Sequence, residues 1–191
     1  MDIPWGSEIS TKFITNVGLI TTDGPYGPDV MAAEWTHHIS YRPGLIAVSI
    51  GQKHATHDNI VKTGEFGISI CSVNQTILSS ISGGYSAREY DKIAALKDLG
   101  FEFYTGRTIN TLMVKGASAN IECKLFKSII LGDHTMFVGE AMDTLTEAMQ
   151  QPLAYHDGKY WMMSSNIPKL SKEGRERIKE ILEKHRKVAF T

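Results

Sequence analysis

Leu45-Ile46-Ala47-Val48-Ser49-Ile50-Gly51-Gln52-Lys53-His54-Ala55-Thr56-His57-Asp58-Asn59 is the stretch on which the fold turns. Its first six residues form a short continuous apolar run, the pattern of a buried strand. Then the period changes. Thr56 to Lys62 reads as a short helix, with Thr56 as N-cap and Gly64 just past its end. No Gly-x-Gly-x-x-Gly follows a strand anywhere in the chain, so the Rossmann route to a nucleotide is not offered.

On the N-terminal side, Phe13 to Thr22 is apolar and β-branched. It runs into Asp23-Gly24-Pro25-Tyr26-Gly27-Pro28, which is turn chemistry. Val30 to Ser40 alternates as a second strand, and the two predict a hairpin. On the C-terminal side, Phe66 to Ser72 predicts a strand. Asn74 to Ser82 predicts a helix stopping at Gly83-Gly84, and Tyr90 to Leu99 a helix closed by Gly100. Leu112 to Ile130 predicts two strands broken near Lys127 or Ser128, and Thr135 to Thr144 one more. Leu153 to Met163 predicts a hairpin around Asp157-Gly158. Ser171 to Lys187 predicts a charged helix with Ser171 as its cap. The apolar stripe of that helix (Ile178, Ile181, Leu182 and then Val188) suits a surface or a partner subunit. Strands do not alternate with long helices, so the expected class is mainly β with helical additions, an antiparallel barrel rather than a doubly wound sheet.

Composition bounds the function. The chain has 191 residues, enough for one domain with a core. Twenty basic and 21 acidic residues leave a net charge of −1, which argues against a nucleic-acid binder with a broad basic face. The opening MDIPWGSEIS has neither a basic nor an apolar signal region, and no apolar run approaches a membrane span. A cytoplasmic protein is the expectation. Cys71 and Cys123 sit in apolar, strand-like surroundings without a Cys-x-x-Cys, and read as two buried reduced thiols.

The segment from Gln52 to Asn59 is the first candidate for chemistry. A helix start following a buried strand presents free N–H groups and the positive end of the dipole. Lys53 adds charge, Thr56 a hydroxyl, and His54 or His57 a protonatable ring. The same residues also fit a capped, solvated surface helix. His37 and His38 are neighbours on a strand and point to opposite faces, and the spacing of a zinc site is missing, so no metal is expected. Asp133-His134 is an acid–histidine pair, but without a Gly-x-Ser-x-Gly elbow it makes no hydrolase triad. Trp35, Tyr155, Tyr160 and Trp161 lie on strand-like segments, where they serve either packing or the wall of a flat ring.

In order along the chain, several short motifs then resemble one family. They are Asn16-Val17-Gly18-Leu19-Ile20-Thr21-Thr22, Met31-x-Ala33-x-Trp35, Ser40-x-x-Pro43, Ile46-x-Val48-Ser49-Ile50 and Lys53-x-x-Thr56-x-x-Asn59-Ile60. Gly64-Glu65-Phe66, Asp91-Lys92, Ile121-Glu122-Cys123-Lys124-Leu125 and Gly132-Asp133-His134-x-x-x-x-Gly139-Glu140 continue the pattern, with Tyr160 after the last hairpin. Together they resemble the flavin-reductase-like FMN-binding split barrels, which include the flavoredoxins, over about residues 10 to 165.

That resemblance implies a split β-barrel over residues 1–170 and a C-terminal helix, 171–191, packed on the barrel or the partner subunit. It implies a homodimer with non-covalent FMN near the subunit interface. By position, Ala33, Glu34, Trp35 and Thr36 would lie along the isoalloxazine. Ser49, Ile50 and Gly51 would flank the cofactor, and Lys53, Thr56 and His57 would hold its phosphate. His134 would stand near the flavin or a nicotinamide as the candidate catalytic residue. The implied activity is an FMN-dependent oxidoreductase, an NAD(P)H-dependent flavin or ferric reductase passing electrons to a redox acceptor. The alternatives are an FMN-binding electron carrier and a flavin-binding module, with a pyridoxamine-phosphate-oxidase-like enzyme further off. Many members carry Asn where this chain has Asp29, and Pro-Pro where it has Pro43-Gly44. Better-characterised reductases carry small hydroxyl residues where Glu34 and Trp35 stand.

Overall fold

The computed structural model of the chain describes residues 2–186. After a 3-10 turn at Ser10–Lys12, the chain forms β1 (Thr15–Asn16), β2 (Gly18–Thr22), β3 (Asp29–Ala33), β4 (Thr36–Tyr41) and β5 (Gly44–Gly51). Helix α1 (Ala55–Thr63) and strand β6 (Glu65–Ile70) follow, then helices α2 (Thr76–Gly84) and α3 (Lys92–Asp98). Strands β7 (Phe103–Thr105), β8 (Leu112–Val114), β9 (Ala119–Leu131), β10 (His134–Thr146), β11 (Ala154–His156) and β12 (Lys159–Trp161) lead to α4 (Lys172–Lys184).

Seven strands make the main sheet, in the order β3-β2-β6-β9-β10-β5-β4, and every neighbouring pair is antiparallel. Laid flat, edge strands β3 and β4 would stand about 29 Å apart, six intervals of about 4.8 Å. Only Glu34 and Trp35 join them. Three Cα steps reach at most about 11 Å. The sheet therefore has to roll until its edges meet, and since β3 and β4 are not paired with each other among the described residues, the barrel is split at that seam. Gly18 makes the roll sterically open: a Cβ there would sit 2.8 Å from Thr36 Cβ, across the barrel's interior.

Both faces of β2 are buried, which explains its unbroken apolar and threonine sequence. Leu19 joins Val17, Val30, Leu78, Leu96 and Val114 in a cluster beneath α2 and α3. Ile20 faces the barrel lumen with Val48, Ile50, Phe66, Ile68 and Phe137. Each such side chain contributes roughly 1.5–3 kcal/mol of burial. The predicted hairpins form at β2–β3 and at Asp157-Gly158, the second with positive φ at both turn residues, but the expected strand from Phe13 to Thr22 is divided into β1, which pairs with β11, and β2.

Three further local expectations are corrected. The single strand from Val30 to Ser40 is two strands, interrupted at Glu34-Trp35. The break near Lys127 does not occur: β9 runs on to Leu131, and a register shift opposite Val138/Gly139 absorbs the irregularity. The real interruption lies earlier, between Val114 and Ala119. Thr56 is not the N-cap of α1: the cap is His54, two residues earlier, and no side chain caps the helix. Helix α4 is capped by Ser171, which accepts from the Gly174 N–H. None of its residues is buried, and Ile178, Ile181 and Leu182 are exposed. Val188 lies outside the described residues.

Cys71 and Cys123 are free and buried, and burial pushes both thiols up to about 12. At pH 8 roughly one thiol in ten thousand is then ionised. A disulfide reagent such as Ellman's should leave both thiols unmodified in the native protein and modify both in guanidinium. Rapid native reaction of either would contradict the burial.

Candidate functional site

The seam of the barrel is also where a groove opens. Because Glu34 and Trp35 pass from one sheet edge to the other, they leave the regular ladder. Thr36 tightens the joint: its N–H donates to Glu34 O at 3.1 Å, and its hydroxyl donates to Ala33 O at 3.3 Å. Trp35 O then accepts from Ser49 N–H at 3.0 Å, fastening the joint to β5. Beside it lies a groove of about 750 Å³.

Six of the sequence-predicted residues line this groove: Ala33, Glu34, Trp35, Ser49, Gly51 and His134. They come from three places in sequence, and pairing brings them together. Gly51, the last residue of β5, is the antiparallel partner of His134, the first of β10. Trp35 and His134 pack as tilted rings with centroids 4.8 Å apart. His134 Nδ1 lies 2.7 Å from Asp133 Oδ1, and that hydrogen bond holds the exposed Asp133 carboxyl below its ordinary range. The tautomer this favours carries its proton on Nδ1 and leaves Nε2 as an acceptor.

Thr36 and Ile50 are fully buried and do not line the groove. They support it from within, Thr36 at the joint and Ile50 in the barrel core. Lys53, Thr56 and His57 also stand outside its lining. Lys53 is exposed in the β5–α1 turn. Thr56 is buried, and its hydroxyl donates to Asp29 Oδ2 at 2.9 Å. His57 has Nε2 3.0 Å from Thr135 Oγ1 and packs against Phe137. The expected phosphate trio is thus divided: one residue faces water, and two are occupied by partners within the fold.

Asp29 is the hub behind this division. Its Oδ1 lies 2.9 Å from Lys92 Nζ, and both side chains are at most 3% exposed. Lys92 Nζ also donates to Ser82 O at 3.4 Å. One carboxylate therefore ties β3, α1 and α3 together.

Several groove residues were not foreseen as its walls. His54, the N-cap of α1, lines it. Burial lowers the pKa of His54, and the neighbouring His134, Lys92 and Arg88 lower it further. Its sequence signal was its place in the Gln52–Asn59 segment, as a protonatable ring beside the helix start. The N-terminal segment supplies the outer wall through Ile3, Trp5 and Phe13. Trp5 Nε1 donates to Glu34 Oε1 at 3.2 Å across the groove. Nothing local in MDIPWGSEIS announces that role, since it depends on how the barrel is rolled. Among the described residues no cluster of three or more His, Cys, Asp or Glu is placed to hold a metal. No described helix is long and apolar enough to cross a membrane.

Comparison with known proteins fits this architecture. The chain is similar to a ferric-chelate reductase (NAD(P)H) of Archaeoglobus fulgidus, 32% identical over 127 residues, covering 65% of this chain and 72% of that one. A protein of unassigned activity from Pyrococcus abyssi is 35% identical over 114 residues, covering 60% of this chain and 63% of its own length. Among solved structures, the flavoredoxin of Desulfovibrio vulgaris superposes with a TM-score of 0.75 at 26% identity, covering 91% of this chain and all of that one. The flavin reductase like domain matches residues 10–163, from the groove's outer wall to just past the last hairpin, and the chain belongs to that family.

Proposed function

We propose that the protein is an FMN-binding oxidoreductase that takes hydride from NADH or NADPH and passes electrons to free flavin, ferric iron or a redox protein. The observation that carries this reading is the convergence of Ala33, Glu34, Trp35, Ser49, Gly51 and His134 on one groove of about 750 Å³. That volume suits a flavin-sized ligand. The relatives' printed activities support the reaction class.

The residues present fit FMN. Trp35 and His134 offer an aromatic wall, and Gly51 leaves the backbone edge open for a flat ring. The start of α1, uncapped by any side chain, follows Lys53 by two residues and favours a phosphate. When bound, FMN supplies the hydride acceptor. The protein binds and orients it, and the N-terminal wall excludes water. His134 can hold a proton at Nε2 while Asp133 fixes Nδ1. A homodimer is supported by large apolar side chains left exposed on β4 and β9: Ile39, Tyr41, Phe126, Ile130 and Leu131. The buried reduced thiols support a cytoplasmic setting.

A second reading, an electron carrier without reductase activity, is favoured by the Trp5–Glu34 contact, which narrows the space left for a nicotinamide. Calorimetric titration with FMN tests the shared claim: saturable binding with one FMN per chain is expected, and no heat of binding would overturn it. Stopped-flow mixing with NADH and NADPH then separates the readings. Bleaching of the flavin band is expected for the reductase, and an oxidised spectrum at saturating nucleotide favours the carrier.

A further inference from the structure

Arg88 lies outside the groove and has no part in the reaction described so far, yet its guanidinium joins three segments. Nε donates to Lys53 O at 3.3 Å. Nη2 donates to Asp58 Oδ2 at 2.7 Å, and Nη1 donates to the Tyr26 hydroxyl. The guanidinium carbon also lies 4.3 Å from the Tyr26 ring centroid. Asp58 in turn reaches His57 Nδ1 at 3.3 Å, and Tyr26 N–H donates to Asn59 Oδ1 at 3.2 Å. Every partner belongs to α1, to the turn that precedes it, or to the loop that packs on it.

We infer that Arg88 is a positioning residue for the flavin site, clamping the β5–α1 turn so that Gly51, Lys53 and His54 present a fixed end wall to the cofactor. This rests on the FMN reading of the groove. The turn itself holds few restraints. It is closed by one backbone bond, from His54 N to Gly51 O at 3.1 Å, and α1 has no side-chain cap. Arg88 grips it at both ends, by the Lys53 carbonyl before the helix and by Asp58 within the first turn. A planar fork can satisfy those acceptors together, whereas an ammonium cannot. Three of its five N–H donors are engaged on the turn, on α1 and on the loop that packs on it, and it is through these that Arg88 acts.

Two substitutions separate positioning from simple charge. Arg88→Lys keeps the positive charge and loses the fork. Asp58→Asn removes a negative charge near the expected phosphate. A direct electrostatic role predicts that the first leaves FMN affinity intact and that the second tightens it. Positioning predicts that both weaken FMN about two- to fivefold, the worth of one exposed, screened ion pair. It further predicts that the double variant is no worse than either single one. Retained affinity in Arg88→Lys, or tighter binding in Asp58→Asn, would overturn the inference. Hydrogen exchange on the flavin-free protein gives a readout independent of FMN. Amides from His54 to Asp58 should exchange faster in both variants, with those of β2 unchanged. Unchanged exchange at α1 would likewise overturn it. Absence of FMN binding by the wild-type chain would instead strike the proposed function, while the exchange result would still decide whether Arg88 clamps the turn.

Discussion

Replacing Asp29 by Asn will destabilise the fold by about 3–5 kcal/mol, the usual cost of stranding one member of a buried ion pair. For a chain of this length that is a fall of roughly 6–20 °C in Tm. The Asp29 side chain is 1% exposed and the Lys92 side chain 3%. The Asn amide keeps an acceptor for Thr56 but presents no charge to the ammonium 2.9 Å away. Lys92 then has only the Ser82 carbonyl, at 3.4 Å. Lys92→Met should be similarly harmful, because it leaves the carboxylate buried with Thr56 alone. The double variant should recover part of the loss, since replacing both charges removes two desolvation costs along with their attraction. Urea unfolding of the three variants measures this. Single-variant losses below about 1 kcal/mol would show that water reaches the pair and that Asp29 is not the hub it appears from its geometry.

The same pair shows why only part of the site is legible in sequence. Thr56 stands before an apolar helical run, which is the local signature of a cap. Its actual partner, Asp29, is 27 residues earlier, so nothing near Thr56 announces it. Glu34 and Trp35 interrupt what alternates as one strand, without a glycine or proline to mark the break. What interrupts it is the rolling of the sheet, a tertiary demand. The Asp157-Gly158 hairpin was readable because its requirement, positive φ at two adjacent residues, is met by the turn residues themselves. The barrel class was readable because the strand pattern and the absence of long intervening helices hold at the level of the whole chain. Within the groove, six predicted residues came together because strand register carries them: once Gly51 pairs with His134 and Trp35 with Ser49, their meeting follows. The N-terminal wall and His54 depend on segments with no such register.

Gly51→Val will weaken FMN roughly 5- to 150-fold while leaving the fold intact, the equivalent of 1–3 kcal/mol of overpacking at the ligand. Gly51 is not among the residues with positive φ, so valine suits its strand-end backbone. Its Cβ would stand 3.2 Å from His54 Cδ2 and 3.7 Å from His134 Nε2. That places the new side chain against the two imidazoles that line the groove. The loss should be equal for FMN and riboflavin, because the obstruction meets the ring system and not the phosphate. Lys53→Ala, by contrast, should weaken FMN and spare riboflavin if the ammonium acts on the phosphate as proposed. Gly51→Ala should fall between wild type and valine, which separates obstruction from an indirect effect of the strand end. Titration of each variant with both flavins, alongside a thermal melt within a few degrees of wild type, is the measurement. Undiminished FMN binding by a folded Gly51→Val protein would move the flavin out of this groove and take the roles of Trp35 and His134 with it.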